Sequence, residues 1–386
     1  MLKQFIAFLL IFLGLTLGGP ACARYAAIVI NADTGQVIHQ NDATQRWYPA
    51  SLTKVMTLYL TFDAIKAGRL DLHDMLTASK HASLMPRSKL GLLPGQRITV
   101  EQAIMAVATR SANDAAVMLA EHLGGSEERF ADMMTAKARQ MDMSASSFEN
   151  ASGLPNEGQI SSARDLALLS LNLINDFPEY YHYFSATEFH YKGRVLPNTN
   201  RILQSYPDAD GLKTGFTCGS GFNLIASAKR NGQRVIGVLL GAHSSQERFQ
   251  QMEHLLDLGF EKNHAASNGT HVAALKMNDF SPPPFQLVSN RCAGSAEQMG
   301  AYTESAGYEP ITIGPPHSHA HKPRLARATL AAHKPRPVAS SVKKRVKAAP
   351  APRLRAAAKP PLKAREASAV KVRHLVKAAA PITRRH

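Results

Sequence analysis

Acidic residues almost vanish from the end of this chain. Residues 315–386 hold 19 Lys+Arg and one acid, Glu366, a net of +18, whereas residues 1–314 carry 26 Lys+Arg against 28 Asp+Glu, a net of −2. The overall excess of +16 therefore describes a tail, and charge arguments about partners apply to that tail alone. The tail also has no Phe, Trp or Tyr. That removes the stacking platform on which single-stranded nucleic acids are usually held. The apolar run at the N-terminus, "FIAFLLIFLGLTL", falls short of the roughly 20 residues of a spanning helix. With Lys3 ahead of it and the small residues "ACA" behind it, residues 1–23 read as an export signal cleaved after Ala23. An uncleaved anchor is the other reading of the same stretch. Gly19-Pro20-Ala21 before Cys22 make a poor lipid-attachment box. Cysteine is scarce: export leaves Cys218 and Cys292. They are two free thiols or one disulfide, and an oxidising compartment favours the disulfide.

Between these ends the hydrophobic period changes twice. "YAAIVIN" and "QVIHQ" flank the turn "ADTG" and predict a hairpin. A helix is expected from about Ser51 to Ala67, stopped at Gly68. "LGLLPGQRI" reads as a loop with a short strand. Another helix opens at Thr99, whose partner Gln102 completes a capping box, and ends near "TRSAN". Further helices are expected at about 114–123, ended by Gly124-Gly125, at 127–141, and at 162–176, stopped by Pro178. The period then becomes two. "GLKTGFT", "GFNLIASAKR" and "QRVIGVLLGA" are strands, the last two joined by the hairpin signal Asn231-Gly232. "SQERFQQMEHLLDLGF" is an amphipathic closing helix. Strands at both ends with helices between them predict one α+β unit, in which the first hairpin joins the last strands in one antiparallel sheet. The expected organisation is a signal at 1–23, a catalytic domain at 24–265, a linker or small appendage at 266–314, and a disordered Ala/Pro/Lys/Arg-rich tail at 315–386.

"YPASLTKVMT" puts Ser51 three residues before Lys54, on one face of a helix start. Alone, that pair is better explained by an ordinary helix start with a solvated lysine. Two later segments change the balance: "SAN" at Ser111–Asn113, between two helices, and "KTG" at Lys213–Gly215, on the first C-terminal strand. Ser-x-x-Lys, Ser-x-Asn and Lys-Thr-Gly in that order form the signature of penicillin-recognising serine enzymes. The chemistry is coherent. A serine hydroxyl needs a base to become a nucleophile. Burial and a second cation such as Lys213 disfavour a charged Lys54 and free it to accept the proton. The backbone N–H groups of Ser51 and Phe216 are candidate donors to the oxyanion. Ser111 can relay a proton to the leaving amine, Asn113 can hold a substrate amide, and Lys213 and Thr214 a substrate carboxylate. Gly215 leaves room for substrate along the strand edge. Read alone, Gly215 is a turn glycine and Asn113 a helix cap.

Residues 25–263 resemble the low-molecular-mass penicillin-binding proteins that are serine D-alanyl-D-alanine carboxypeptidases, peptidase family S11. The resemblance lies in "YPASLTKVMT", "SANDAAVMLAE", "FENASGLP", "DGLKTGFT" and "SGFNLIASAKRNGQRVIGVLLG". It implies a β-lactamase/transpeptidase-like fold with a helical cluster on an antiparallel sheet. It also implies removal of the terminal D-alanine from peptidoglycan stem peptides through an acyl-enzyme, no cofactor, and covalent inhibition by β-lactams. Carried over, Ser51 is the nucleophile, Lys54 the proton acceptor and Ser111 the relay, with Asn113, Lys213, Thr214 and Gly215 binding substrate. Arg201, in "NTNRIL", resembles an arginine near the substrate carboxylate, and is equally well read as a surface arginine. Two departures stand out. Phe216 occupies a position that is histidine in many relatives, and no C-terminal β-rich domain with an amphipathic membrane helix is evident. A class A β-lactamase, the runner-up, needs a deacylating glutamate with an asparagine four residues on. The nearest candidate, Glu149, is followed there by Gly153.

The expected location is the periplasm or cell envelope, with membrane association left open. The tail is either a solvated spacer or a salt-sensitive grip on anionic polymer or a membrane surface, with no specific nucleic acid. "HSHAH", His317 to His321, reads as solubilising charge ahead of metal binding.

Overall fold

The computed structural model describes residues 25–262 and 269–277. The expected export signal, the tail with its "HSHAH", and Cys292 lie outside the described residues. β1 (Ala26–Asn31) and β2 (Val37–Asn41) form the opening hairpin. A 3₁₀ turn at Ala50–Thr53 leads into α1 (Lys54–Lys66). Then follow β3 (Met75–Thr77), α2 (Lys80–Leu84), β4 (Arg97–Thr99), α3 (Val100–Arg110), α4 (Asn113–Gly124), α5 (Glu127–Gln140) and α6 (Ala163–Asp176). Next come α7 (His182–Ser185), β5 (Glu188–Tyr191), β6 (Arg194–Pro197) and α8 (Ile202–Ser205). β7 (Ala209–Thr217), β8 (Gly221–Arg230), β9 (Gln233–Ala242) and α9 (Ser245–Lys262) complete the unit.

The five long strands make one antiparallel sheet in the order β2-β1-β9-β8-β7, so the N-terminal hairpin does join the C-terminal strands. Strand alternation divides the core. Ala26, Ile28 and Ile30 face the helical cluster, while Ala27 and Val29 face Phe249, Met252 and Leu256 of α9. α1 is buried from Lys54 to Phe62, where Val55, Met56, Leu58 and Phe62 are inaccessible, and meets solvent only near its end, as at Asp63 and Lys66. β7 ends the sheet, so one row of its backbone groups faces away from β8.

Local signals set several boundaries. Thr99 and Gln102 form the capping box. Gly125 takes the left-handed conformation that ends α4. Asn231 and Gly232 both have positive φ, as a type I′ hairpin turn requires. The sequence reading departs from the fold in three places. Ser51 lies in the 3₁₀ turn ahead of α1, not inside an α-helix, because Ala50 before it is left-handed (φ 50°). The small elements β3, α2, β5, β6, α7 and α8 had no periodic signal, being only three to five residues long. Residues 269–277, expected as linker or appendage, pack on the body: Val272 is buried, and Gly35 and Thr270 exchange backbone bonds with Val272 and Val37.

Candidate active site

Ser51 is placed by its backbone surroundings. Asn223 of β8 donates through Nδ2 to Tyr48 O (3.0 Å) and Pro49 O (3.3 Å), and its Oδ1 accepts from Gly241 N (3.0 Å). That ties the turn before Ser51 to two strands. Gly215 of β7 lies on the same turn. A Cβ built there would sit 3.1 Å from Pro49 O and Ser51 N and 3.2 Å from Leu52 N. Gly215 is therefore no turn glycine, since its φ is not positive. It lets the third motif approach the backbone of the first.

Lys54 is fully buried, with Nζ 3.0 Å from Ser51 Oγ and donating to Ser152 O at 2.6 Å. The Ser152 carbonyl is itself held. Asn150 Oδ1 accepts from the N–H groups of Ser152 (3.2 Å), Gly153 (2.7 Å) and Leu154 (3.1 Å), and Thr57 Oγ1 donates to Ala151 O (2.6 Å). Gly153 (φ 80°) must be glycine, because a side chain there would run into the Ala50 carbonyl. The segment "FENASGLP" thus builds the seat of Lys54.

Ser111 caps the C-terminus of α3 in the left-handed conformation (φ 56°). It is 1% exposed and its hydroxyl has no hydrogen-bond partner among the described residues. Both features are uncommon for a serine and are frequent at functional sites. Asn113 is buried at the start of α4, its Nδ2 donating to Pro86 O (3.0 Å). Lys213 and Thr214 are buried on β7, and Lys213 Nζ donates to Thr214 O (3.0 Å). The segment before β7 connects the second and third motifs. Thr199 N donates to Thr109 O (3.0 Å), two residues before Ser111, and Thr199 Oγ1 lies 3.4 Å from Thr214 Oγ1.

The remaining expected residues fall as follows. The Phe216 ring packs on Phe222 at 4.2 Å within the cluster under α9. Arg201 is exposed at the start of α8, and on its segment it is Thr199 that reaches Thr214. Cys218 is disulfide-bonded, and its expected partner Cys292 lies outside the described residues. Glu149 is exposed, lying against Gly158, which gives a β-lactamase-type deacylating role no support. The sequence reading missed Ser152, Asn150, Asn223 and Thr199. Asn150 and Ser152 lie in "FENASGLP" and Asn223 in "SGFNLIASAKR", segments that signalled only as family matches, and Thr199 lies in "NTNRIL", where only Arg201 was singled out.

Arg248, also unforeseen, reaches from α9 to Gly215 O (3.4 Å) and Asn223 O (3.3 Å). A buried amine on a serine hydroxyl, backed by a close-packed edge strand and a buried second serine, is an arrangement suited to acyl transfer.

The D-alanyl-D-alanine carboxypeptidase family matches residues 16–244. The chain is similar to D-alanyl-D-alanine carboxypeptidase DacC of Escherichia coli, 38% identical over 252 residues that make up 64% of this chain and 63% of that protein. It is also similar to D-alanyl-D-alanine carboxypeptidase DacF of Bacillus subtilis, 37% identical over 243 residues, 61% of this chain and 62% of that protein. It thus spans less than two thirds of the length of these relatives. Among solved structures it resembles penicillin binding protein 6B of E. coli, with a TM-score of 0.59 and 35% identity over 61% of this chain and 76% of that one. Penicillin-binding protein D2 of Listeria monocytogenes, solved in a cefotaxime-bound form, gives a TM-score of 0.56 and 34% identity over 61% of this chain and 96% of that one.

Proposed function

The chain belongs to the D-alanyl-D-alanine carboxypeptidase family, and we propose that it removes the terminal D-alanine from peptidoglycan stem peptides through an acyl-enzyme on Ser51. The single observation that carries this reading is the 3.0 Å approach of the buried Lys54 Nζ to Ser51 Oγ, beside a third motif seated on the same turn. Burial disfavours an ammonium, so Lys54 acts as a neutral amine. It takes the Ser51 proton as Oγ attacks the carbonyl of the penultimate residue. The N–H groups of Ser51 and Phe216 receive the oxyanion. The proton passes through Ser111 to the departing D-alanine nitrogen, and the C–N bond breaks. Lys213 and Thr214 hold the terminal carboxylate of the substrate, and Asn113 a backbone amide. Water then attacks the ester and restores Ser51. A β-lactam follows the first half of this path, but its leaving nitrogen stays tethered, so the adduct persists.

The N-terminal sequence pattern supports export and action in the periplasm or cell envelope, in cell-wall biogenesis and the maintenance of cell shape. The 19 cations and one acid of residues 315–386 support a salt-sensitive grip on anionic wall polymer or a membrane surface. Co-sedimentation with isolated cell wall at rising salt, with and without the tail, tests that part. The enzyme reading is tested by mass spectrometry of the mature protein incubated with penicillin. The expected result is one adduct, on Ser51, abolished in Ser51→Ala and slowed in Lys54→Arg by about 10² or more. An adduct elsewhere, or none, would overturn it.

A further inference from the structure

Asp114 directly follows the Ser111–Asn113 triplet and is fully buried in the first turn of α4. Its carboxylate serves more than its own helix. Oδ1 accepts from Ala115 N (2.9 Å) and from Leu90 N (3.0 Å), and Oδ2 from Gly91 N (2.8 Å) and Leu92 N (3.2 Å). Three of the four donors thus come from the segment between α2 and β4. Three successive backbone N–H groups converge on one buried side chain, so Asp114 anchors residues 90–92. Just upstream, the same segment touches Asn113. Asn113 N donates to Ser88 O (2.7 Å), and Nδ2 to Pro86 O (3.0 Å). The Pro86 carbonyl takes the nitrogen end of the Asn113 amide and so fixes which way that amide lies.

We propose that Asp114 is a positioning residue: by anchoring residues 90–92 it holds the Pro86 and Ser88 carbonyls against Asn113, and so orients the amide that meets the substrate. This rests on the acyl-enzyme reading above. Asp114 touches neither Ser51 nor Lys54 in this scheme. Its loss therefore weakens substrate capture and leaves the proton transfer alone.

The test is Asp114→Ala and Asp114→Asn in the full mature chain. Hydrogen exchange is followed at residues 86–92, and β-lactam acylation is resolved into its binding and chemical steps. In both variants exchange should rise across 88–92. The second-order acylation constant should fall by about tenfold or more, since small misplacements at a reacting site are amplified. The loss should lie in binding, with the pH profile of the chemical step unchanged. Asp114→Asn keeps one acceptor oxygen and should fall between wild type and Asp114→Ala. Gly91→Ala guards against misfolding. At φ 81°, with nothing within 4 Å of the added Cβ, it strains the segment from its far end without entering the core, and should weaken binding in the same direction. Acylation within twofold of wild type despite raised exchange would overturn the proposal, as would a loss confined to the chemical step. If the Asp114 variants do not fold, unchanged binding in Gly91→Ala overturns it. A wild-type protein that takes no penicillin label refutes the acyl-enzyme reading instead, a separate result.

Discussion

Thr199 joins the second and third motifs through one side chain: its Oγ1 lies 3.4 Å from Thr214 Oγ1 and donates to Thr109 O at 3.3 Å. Thr109 is in the last turn of α3, which ends at Ser111, and Thr214 is at the centre of Lys-Thr-Gly. The helical cluster and the edge strand are thus tied together at the site itself.

Thr199→Val should therefore loosen this tie without unfolding the protein. Thr109 O keeps its bond from Thr199 N, so no buried carbonyl is orphaned. The two long contacts of the hydroxyl, at 3.3 and 3.4 Å, are lost, together about 1 kcal/mol, which corresponds to roughly a fivefold change in a rate or an equilibrium. The expected outcome is a severalfold slower reaction with a fluorescent penicillin, while Thr199→Ser, which keeps the hydroxyl, reacts at close to the wild-type rate. Stopped-flow labelling of the three proteins decides it. Equal rates for valine and threonine would show that the tie is not used.

Gly215→Ala probes the approach of the two motifs directly. The added Cβ would meet Pro49 O, Ser51 N and Leu52 N at 3.1–3.2 Å, closer than ordinary contact, and all three are backbone atoms with no rotamer to yield. Overpacking of this kind costs about 1–3 kcal/mol, and the strain falls on the turn that carries Ser51. Acylation should fall by about 10² through displacement of the nucleophile. Thermal melting together with penicillin labelling checks both halves. A stable protein with unimpaired labelling would mean that the strand and turn can separate without consequence.

How much of this was legible in the sequence follows from how each feature is encoded. Long elements announce themselves by period, so the sheet strands and α1, α3, α4, α5, α6 and α9 were readable. Their ends were readable too, where Thr99, Gly125 and Asn231-Gly232 supply local chemistry. The three short motifs were readable because each combines residue types that acyl transfer needs. Thr199 and Asn223 were not. A threonine between two asparagines and an asparagine inside a strand look ordinary, and their roles come from partners 15 or more residues away. The close approach of Gly215 to the backbone of residues 49–52 was not legible either, because a sequence shows that a side chain is missing but not which atoms lie beside it. Asp114 stands at the start of the helix expected at 114–123, and nothing in the sequence shows its bonds to residues 90–92.

Alkaline pH should unfold the protein through its tyrosines. Burial is the first cause of the raised phenol pKa of Tyr59, Tyr181, Tyr183 and Tyr206, and the carboxylates of Asp176, Asp210, Glu101 and Asp257 beside them add to it. For Tyr183 the value is pushed up to about 12. The sign is that of a group whose folded pKa exceeds its unfolded one. Below pH 10 the phenols are neutral in both states and their contribution is intact. Above pH 10 the unfolded chain loses protons that the fold retains, and stability falls until the folded pKa is passed. Each such phenol removes at most about 1.4 kcal/mol per pH unit, less where its hydroxyl touches solvent. The melting temperature should accordingly drop steeply from pH 10 to 12, with phenolate absorbance rising together with the loss of circular dichroism. Tyr181→Phe, which deletes one of these phenols, should flatten that slope by about one proton. Phenols that all titrated near pH 10 in a protein still folded by circular dichroism would refute the account.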